Sequence, residues 1–358
     1  MTVEIRIAGN ADKDAWDTIV SQSPHGTIFH RWDWLKIARN HTNLQLFPVF
    51  GMKDGEVIGI FPLFFQKRGP VRMVFSPPPH CSIFYLGPVL KDSDARTREK
   101  RETRYTGFQH AVESFITEDL KANYVRISLS PGLEDPRPFL WSGYKADPGF
   151  DYAVDLTRGL DALYKSIDKQ DRSSLRKAKE KGMTFSPGTK KECGKILDLM
   201  QDRYMKQGKF LTEPKQYFLD IYDAFRENLV ITTVTADGEI VTGSIDILDR
   251  DTLYGWVGNP KPVVPMNPSP NNFLFWETIR YACETGCKTY TTMSAAGNKK
   301  LYKYYAARFN PELRLRYSLT RRTMFSRLFE LGYFSVVRPL RAAVHYRRDT
   351  RGELTDHP

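Results

Sequence analysis

The sequence predicts an α+β protein of two tandem units, each with a mixed central sheet flanked by helices. Three observations carry that expectation. Hydrophobic periods of two and of 3.6 residues alternate in blocks along the chain. An Asp-Gly turn separates two β-like runs once in each half, at Asp54-Gly55 and at Asp237-Gly238. In both halves helices precede that hairpin, and a further helix with a strand directly behind it follows. This order is not the regular βαβ alternation of a dinucleotide-binding fold, and no G-x-G-x-x-G stands between a strand and a helix.

The first half reads as helices over Asp12 to Ser21 and Arg31 to Asn40, then an alternating run from Leu44 to Phe50. Gly55 accepts positive φ in the turn, and Val57 to Phe65 supplies the returning strand. Short strands are expected at Val71 to Phe75 and Ser82 to Leu86. A charged stretch from Lys91 to Arg104 leads to a helix over Tyr105 to Lys121 and a strand over Tyr124 to Leu129. Pro131, Gly132, Pro136 and Pro138 then break the chain and end the unit.

The pattern restarts at Leu156, with Leu160, Leu163, Tyr164 and Ile167 on one helical stripe. A basic helix follows, which Ser173 can cap and Gly182 can end. Ile196, Leu199, Met200, Arg203 and Tyr204 mark the next helix, and Phe218, Ile221, Tyr222 and Phe225 another. A three-strand meander is expected over Leu229 to Thr235, Glu239 to Leu248 and Thr252 to Val257. A Pro-rich loop from Pro260 to Pro270 precedes a helix over Asn271 to Thr285, a strand over Lys288 to Met293 and a last helix over Asn298 to Arg308. The expected division is 1–155, 156–318 and a basic, aromatic tail over 319–358.

The 358 residues are 41% hydrophobic and 13% aromatic, which excludes a disordered or fibrous chain. No apolar run is long enough to span a bilayer. The N-terminus lacks the pattern of a secretory signal, so a cytoplasmic location is expected. The net charge of +11 favours anionic partners. Much of it sits at the end, where Glu312 to Arg351 holds ten Arg, no Lys and three acids. Cys81, Cys193, Cys283 and Cys287 are scattered without metal-site spacing and read as reduced thiols; no metal is expected.

Several local signatures stand along the chain: Gly26-Thr27-Ile28-Phe29-His30 with Trp32 and Trp34, the basic stretch Arg172 to Gly182, Tyr204 to Gly208, Asn271 to Glu277, and Leu301-Tyr302-Lys303-Tyr304. In this order they resemble the FemABX-type aminoacyltransferases and related two-domain proteins of the GNAT acyltransferase superfamily. The resemblance implies two GNAT-like subdomains with an acceptor cleft beside or between them, and transfer of an acyl or aminoacyl group to an amine. It implies that the last strand returns to pack on the first subdomain. It also implies a role for Lys303, at a position matching a family lysine that stabilises the developing oxyanion. An exposed helix lysine beside Lys299 and Lys300 is the competing reading. The family's Gly-rich pyrophosphate loop is missing between Val257 and Asn271, where Asn267-Pro268-Ser269-Pro270-Asn271 withholds backbone N–H groups from phosphates.

Acyl transfer to an amine needs an unprotonated nitrogen, donors for the oxyanion and a route for the proton. No Ser-His-Asp order or activated Cys is evident, so direct attack in a ternary complex is the simpler route. Arg203 and Tyr204 continue an otherwise apolar stripe, where Arg203 serves either a substrate carboxylate or phosphate or a structural ion pair. Arg172, Arg176 and Lys177 lie on the basic helix and suit a tRNA, a nucleotide or a lipid-linked diphosphate, or form a solvated face. Trp34, Tyr254 and Trp256 suit a sugar or peptide groove, or the core. The tail after Thr320 mixes arginines with aromatic and aliphatic residues and suits an anionic membrane surface, RNA, or docking on the first subdomain.

The expected function is transfer of an aminoacyl or acyl group onto an amine of a cell-envelope precursor, peptidoglycan or polysaccharide, carried on a lipid or a nucleotide. No tightly bound cofactor is expected; the donor is an aminoacyl-tRNA or an acyl-CoA. The alternatives are an acyl-CoA-dependent N-acetyltransferase with a degenerate loop, and a non-catalytic protein that binds RNA or a membrane.

Overall fold

A computed structural model describes residues 3–91, 97–262, 264–293 and 302–326, except for the side chains of 302 and 303. The expected tail beyond residue 326, and residues 298–301 of the expected last helix, lie outside the described residues.

The first half begins with β1 (Glu4–Ile7), α1 (Lys13–Gln22), α2 (Trp32–Thr42), β2 (Gln45–Lys53) and β3 (Glu56–Arg68). It continues with β4 (Val71–Ser76), β5 (Val89–Leu90), α3 (Arg98–Ser114), β6 (Tyr124–Ser128), α4 (Arg137–Trp141) and β7 (Lys145–Asp155). The second half holds α5 (Leu160–Ser166), α6 (Lys169–Glu180), β8 (Thr184–Pro187), α7 (Lys190–Met205) and α8 (Lys215–Ala224). Then come β9 (Leu229–Ala236), β10 (Glu239–Asp249), β11 (Thr252–Gly258), α9 (Pro270–Glu284), β12 (Thr289–Thr291), α10 (Tyr302–Ala306) and β13 (Glu312–Arg322).

All thirteen strands join one mixed sheet in the order β1-β2-β3-β4-β6-β13-β7-β12-β11-β10-β9-β8, with β5 paired beside β3. The two expected sheets are therefore two halves of one. Each half is an antiparallel run of four strands whose last member pairs in parallel with a strand behind a helix: β4 with β6, and β11 with β12. The halves exchange their final strands. β13, from the end of the chain, lies against β6, while β7 lies against β12. The exchanged strands then pair antiparallel with each other from Glu312↔Ala153 to Thr320↔Lys145.

Several elements differ from the sequence expectation for local reasons. β7 contains Pro148-Gly149, which reads as a break. β12 covers only residues 153–155 of β7, so Pro148 lies on a stretch with one partner strand and forfeits no ladder bond. Gly149 makes room for Arg316, since a Cβ there would lie 3.0 Å from the guanidinium carbon. α3 starts seven residues before Tyr105, because Thr97 caps it and Arg98 pairs with Glu102 one turn on. Those first turns are exposed and carry no apolar stripe. Asp168 rather than Ser173 caps the basic helix α6, accepting from Asp171 N. Ser82 to Leu86 is not a strand; only Leu86 bridges to Leu129.

One aromatic core is shared by both halves. The Trp34 ring lies 5.0 Å from Phe29, 5.0 Å from Phe225 and 5.3 Å from Trp256. Such pairs contribute about 0.5–1.5 kcal/mol each beyond their buried area. The turn between β10 and β11 also docks on the connection between α1 and α2. Arg250 donates to the carbonyls of Val20 (3.0 Å), Ser21 (3.1 Å) and Ser23 (2.9 Å), and Asp249 accepts from Ile28 N (2.9 Å). Of the Gly26 to His30 signature, Ile28 supplies the N–H that Asp249 accepts, while Arg250 is received by the residues just ahead of it. A Cβ on Gly26 would lie 2.0 Å from the Val20 carbonyl oxygen, and the His30 Nδ1 pairs with Thr27. Beyond the sheet's other face, α3 covers a second core and α6 with α9 a third.

The strand exchange makes each half depend on the other. Cut between Leu156 and Gly159 and expressed singly, both fragments are expected to be insoluble, because one lacks β13 and the other β7. Coexpressed, they are expected to copurify as a one-to-one complex, and recovery of a soluble, folded first fragment on its own would contradict the exchange.

Candidate active site

β11 and β12 run together from Thr252↔Thr289 to Tyr254↔Thr291 and then part, β11 continuing to Gly258 beside β10 without β12. At this split β11 bulges. Its register against β10 jumps from Ile247↔Tyr254 to Ile245↔Val257, so that Asp246 alone faces Gly255 and Trp256. Asp246 is 1% exposed and accepts hydrogen bonds from Ser244 Oγ (2.7 Å) and from the Trp256 backbone N–H. Ser244 Oγ is in turn 2.8 Å from Thr232 Oγ1. Burial holds the Asp246 carboxyl up at about 7, against which these two donors pull down only in part.

Tyr290 and Tyr305 close the space around this carboxyl. Burial first, and the Asp246 charge after it, raise both phenols, Tyr305 to about 12. The Tyr290 hydroxyl reaches so near β11 that a Cβ at Gly255 would lie 2.3 Å from it, which only glycine allows. Tyr305 comes from α10, and α10 is pinned from below. Tyr304 donates to the Asn271 carbonyl (3.3 Å), and Arg308 pairs with Asp171 (2.7 Å) while its guanidinium carbon sits 4.2 Å from the Tyr304 ring centre. Lys303 is on this same helix; its side chain lies outside the described residues.

On the neighbouring face of the central strands lies a cavity of about 420 Å³ between the halves. The segment from Pro77 to Phe84 roofs it, and β6, β13 and β7 form its floor. Arg126 and Arg316 face it with the hydroxyls of Ser128 and Ser318, and His80 stands at the roof. Arg316 pairs with the buried Asp151 (3.3 Å), whereas Arg126 is exposed and has no ion pair among the described residues. The roof is tied to the second half: Trp256 Nε1 donates to the Ser82 carbonyl (2.6 Å), Tyr217 to that of Cys81 (2.5 Å), and Ser82 to Glu213 (2.7 Å). The Trp256 bond joins the cavity to the very bulge that Asp246 holds.

The residues singled out in the sequence fall in different places. Trp256 and Tyr254 lie on β11 at the split; the Tyr254 phenol is pushed up to about 12 by burial and its ring is 6.4 Å from Tyr85. Trp34 is fully enclosed in the shared core and faces no groove. Arg203 and the half-buried Tyr204 are near the end of α7, Tyr204 against the core. Arg172 donates to the carbonyls of Lys165 (3.1 Å) and Ile167, so it closes the end of α5. Arg176 and Lys177 are exposed on α6, where Arg176 pairs with Glu180 at 3.8 Å. Sequence reasoning missed Asp246, whose signal is a lone acid inside the apolar strand Gly243 to Leu248. It also missed Arg126 and Arg316, which only the topology brings together.

Among the described residues no helix is long and apolar enough to cross a membrane, and no cluster of three or more His, Cys, Asp or Glu could hold a metal.

An acetyltransferase (GNAT) domain family matches residues 165–304, from the end of α5 into α10. No curated protein matches the chain. Among solved structures, FemX is similar over 88% of this chain and 96% of its own, with a TM-score of 0.61 and 16% identity. The C-terminal domain of an Agrobacterium fabrum protein described as a lysylphosphatidylglycerol synthetase follows at 0.54 and 16%, over 90% and 95%. A tandem GNAT protein from the clavulanic acid biosynthesis pathway reaches 0.53 at 11% identity, over 89% and 97%. At such identities these structures establish the fold. Residues 165–304 thus carry a GNAT acetyltransferase domain, set in a fold that FemX shares along nearly its whole length, and the chain is an acyl-transferring enzyme.

Proposed function

We propose that the enzyme moves an aminoacyl or acyl group onto an amine of a cell-envelope precursor, by direct attack at the β11–β12 split of the second unit, residues 156–318. The observation that carries this reading is the buried Asp246 at the β11 bulge, inside the region matched by the acetyltransferase domain. The likeness to FemX and to a lysylphosphatidylglycerol synthetase supports an envelope acceptor, peptidoglycan-like or lipid-linked. The cavity offers that acceptor a hydroxyl-lined seat with Asp147 on its wall, in which Arg126 presents a two-point donor to a phosphate or carboxylate. A location at the inner face of the membrane, with the tail that follows β13 against it, belongs to the same reading.

In the reaction the acceptor nitrogen bonds to the donor carbonyl carbon. Its proton passes to the Asp246 carboxylate and from there to the leaving oxygen or sulfur, whose bond to the carbonyl carbon breaks. A carboxyl held near neutrality is suited to that exchange. Lys303 stabilises the oxyanion. The leaving group is a tRNA hydroxyl or a CoA thiol. The segment between β11 and α9 carries Pro260, Pro262, Pro265 and Pro268, and α9 opens on Pro270, so few N–H groups meet a pyrophosphate there. This favours aminoacyl-tRNA as the first donor to test.

Labelled aminoacyl-tRNA and acyl-CoA pools, each with envelope precursors, are expected to yield labelled precursor by mass spectrometry. Loss of product on RNase treatment marks the tRNA donor, and the absence of product from both pools would reject the transferase reading. Lys303→Ala is expected to lower kcat, whereas Arg126→Ala is expected to raise the acceptor KM with kcat little changed; the opposite split would separate these residues from their assigned roles.

For Asp246 the pH dependence has a definite sign. A carboxyl held protonated up to about 7 in the folded chain, and ionised above about 4 when unfolded, makes stability fall as pH rises between those values. Asp246→Asn is expected to flatten that fall in thermal midpoint. It is also expected to lower transfer by roughly a hundredfold or more and to remove the rise in rate through neutral pH. An unchanged pH–rate profile in the variant would exclude the proton role.

A further inference from the structure

The end of the central sheet at which β6 and β7 begin and β13 finishes borders the cavity through Asp147, yet it is built unlike the rest of the surface. Pairing brings its members together: Arg322 stands opposite Tyr124, Thr320 opposite Lys145, and Met73 opposite Tyr124. The turn after β3, with exposed Lys67 and Arg68, opens at the same end, as does Lys121 just before β6. Arg322 lies over the Tyr124 ring, 5.4 Å from its centre.

Three large apolar side chains protrude here. Trp141, at the end of α4 and four residues before β7, is 67% exposed; Met324 and Phe325, directly after β13, are 77% and 49% exposed. Isolated apolar residues on a surface need no explanation, but aromatic and thioether side chains among lysines and arginines form a recognisable pattern. The acids at this end include Glu118 and Asp119; Asp147 is held by Lys145 at 2.6 Å and Glu113 by Arg321 at 3.0 Å, while beside Trp141 the Arg137 guanidinium, 5.9 Å from the ring centre, holds Asp135 and Glu102 at 2.7 Å each. The chain that leaves this end keeps the pattern in its sequence: from Thr320 to Arg348 there are seven Arg and one acid, Glu330.

We infer that this end of the sheet, with Trp141, Met324 and Phe325 inserting between lipid headgroups and Lys67, Arg68, Lys121 and Arg322 around them, is a docking surface for an anionic lipid bilayer. Charge complementarity selects the anionic lipid, and the protruding methionine and aromatic side chains favour a bilayer over RNA, whose phosphates need the cations alone. The surface also sets an orientation. The last strand ends at the bilayer.

The test uses the full chain, sedimented with vesicles of phosphatidylcholine alone or with about a third phosphatidylglycerol, and needs neither donor nor acceptor, so its failure leaves the transferase reading untouched. Binding is expected on the anionic vesicles, at least about tenfold weaker on the neutral ones, and weakened by salt. Lys67→Glu with Arg68→Glu is expected to weaken it roughly fivefold or more per residue. Met324→Asp with Phe325→Asp, which alters only exposed side chains, is expected to weaken it at least as much, with the thermal midpoint unchanged. Equal binding to both vesicles, binding to neither, or full binding by both double variants would overturn the inference. So would stronger binding after deletion of residues 327–358, which would make the tail the natural cover of this face. Retention of tRNA in place of anionic vesicles, lost in the same variants, would reassign the surface to RNA.

Discussion

The pairing of β13 with β7 carries the architecture. These strands come from opposite ends of the two halves, and their nine-residue ladder from Glu312↔Ala153 to Thr320↔Lys145 is the seam through which the half-sheets become one. Neither strand could be left unpaired at a sheet centre, because every backbone N–H and C=O along it would be exposed as an open edge. Side chains fasten the seam. Arg316 pairs with the buried Asp151, and at the far end Arg321 pairs with Glu113 (3.0 Å), which also accepts from the Tyr144 hydroxyl (2.8 Å). Burial pushes the Glu113 carboxyl up. Removing one partner of such a pair leaves the other charge buried, at a cost of about 3–5 kcal/mol.

That seam also creates the site. Because β12 is only three residues long, it covers just the last part of β7 and leaves the stretch around Pro148 and Gly149 open on one side. The opening becomes the floor of the cavity, and the guanidinium of Arg316 occupies the room that Gly149 leaves. The same shortness of β12 releases β11 beyond Tyr254, where the bulge forms over Asp246. One structural fact, a short strand beside a long exchanged one, thus yields both an acceptor-sized cavity and a strand split, joined by the Trp256 bond to the Ser82 carbonyl.

The polar groups at the split are arranged so that each constrains the next. Asp246 holds the bulged N–H of Trp256; the bulge sets Gly255 against the Tyr290 hydroxyl; α10 presents Tyr305 from above, held by Arg308 and Asp171. A buried network of this kind is rigid where it is fully bonded and reactive where it is not. Asp246 has neutral hydroxyl and amide donors but no cationic partner among the described residues, which is why burial dominates its titration.

Much of the fold was legible in the sequence because it was written in local terms. The Asp-Gly turns, the helical stripes and the meander from Leu229 to Val257 each follow from a few neighbouring residues, and they determined the class, the tandem plan and the helices that flank the sheet. The motif from Gly26 to His30 was legible too, although as a family signature; the structure shows its Ile28 N–H received by Asp249. What sequence alone could not decide was partnership. Pro148-Gly149 breaks a strand with neighbours on both sides but not one that is half an edge, and the arginine-rich alternation of β13 reads as a charged tail until β6 and β7 stand beside it. Trp34, exposed or buried in principle, became core because two halves close over it. Asp246, Arg126 and Arg316 acquired meaning only from pairings far apart in the chain, since a residue's type is local while its dielectric surroundings and its neighbours across a sheet are set by the tertiary fold.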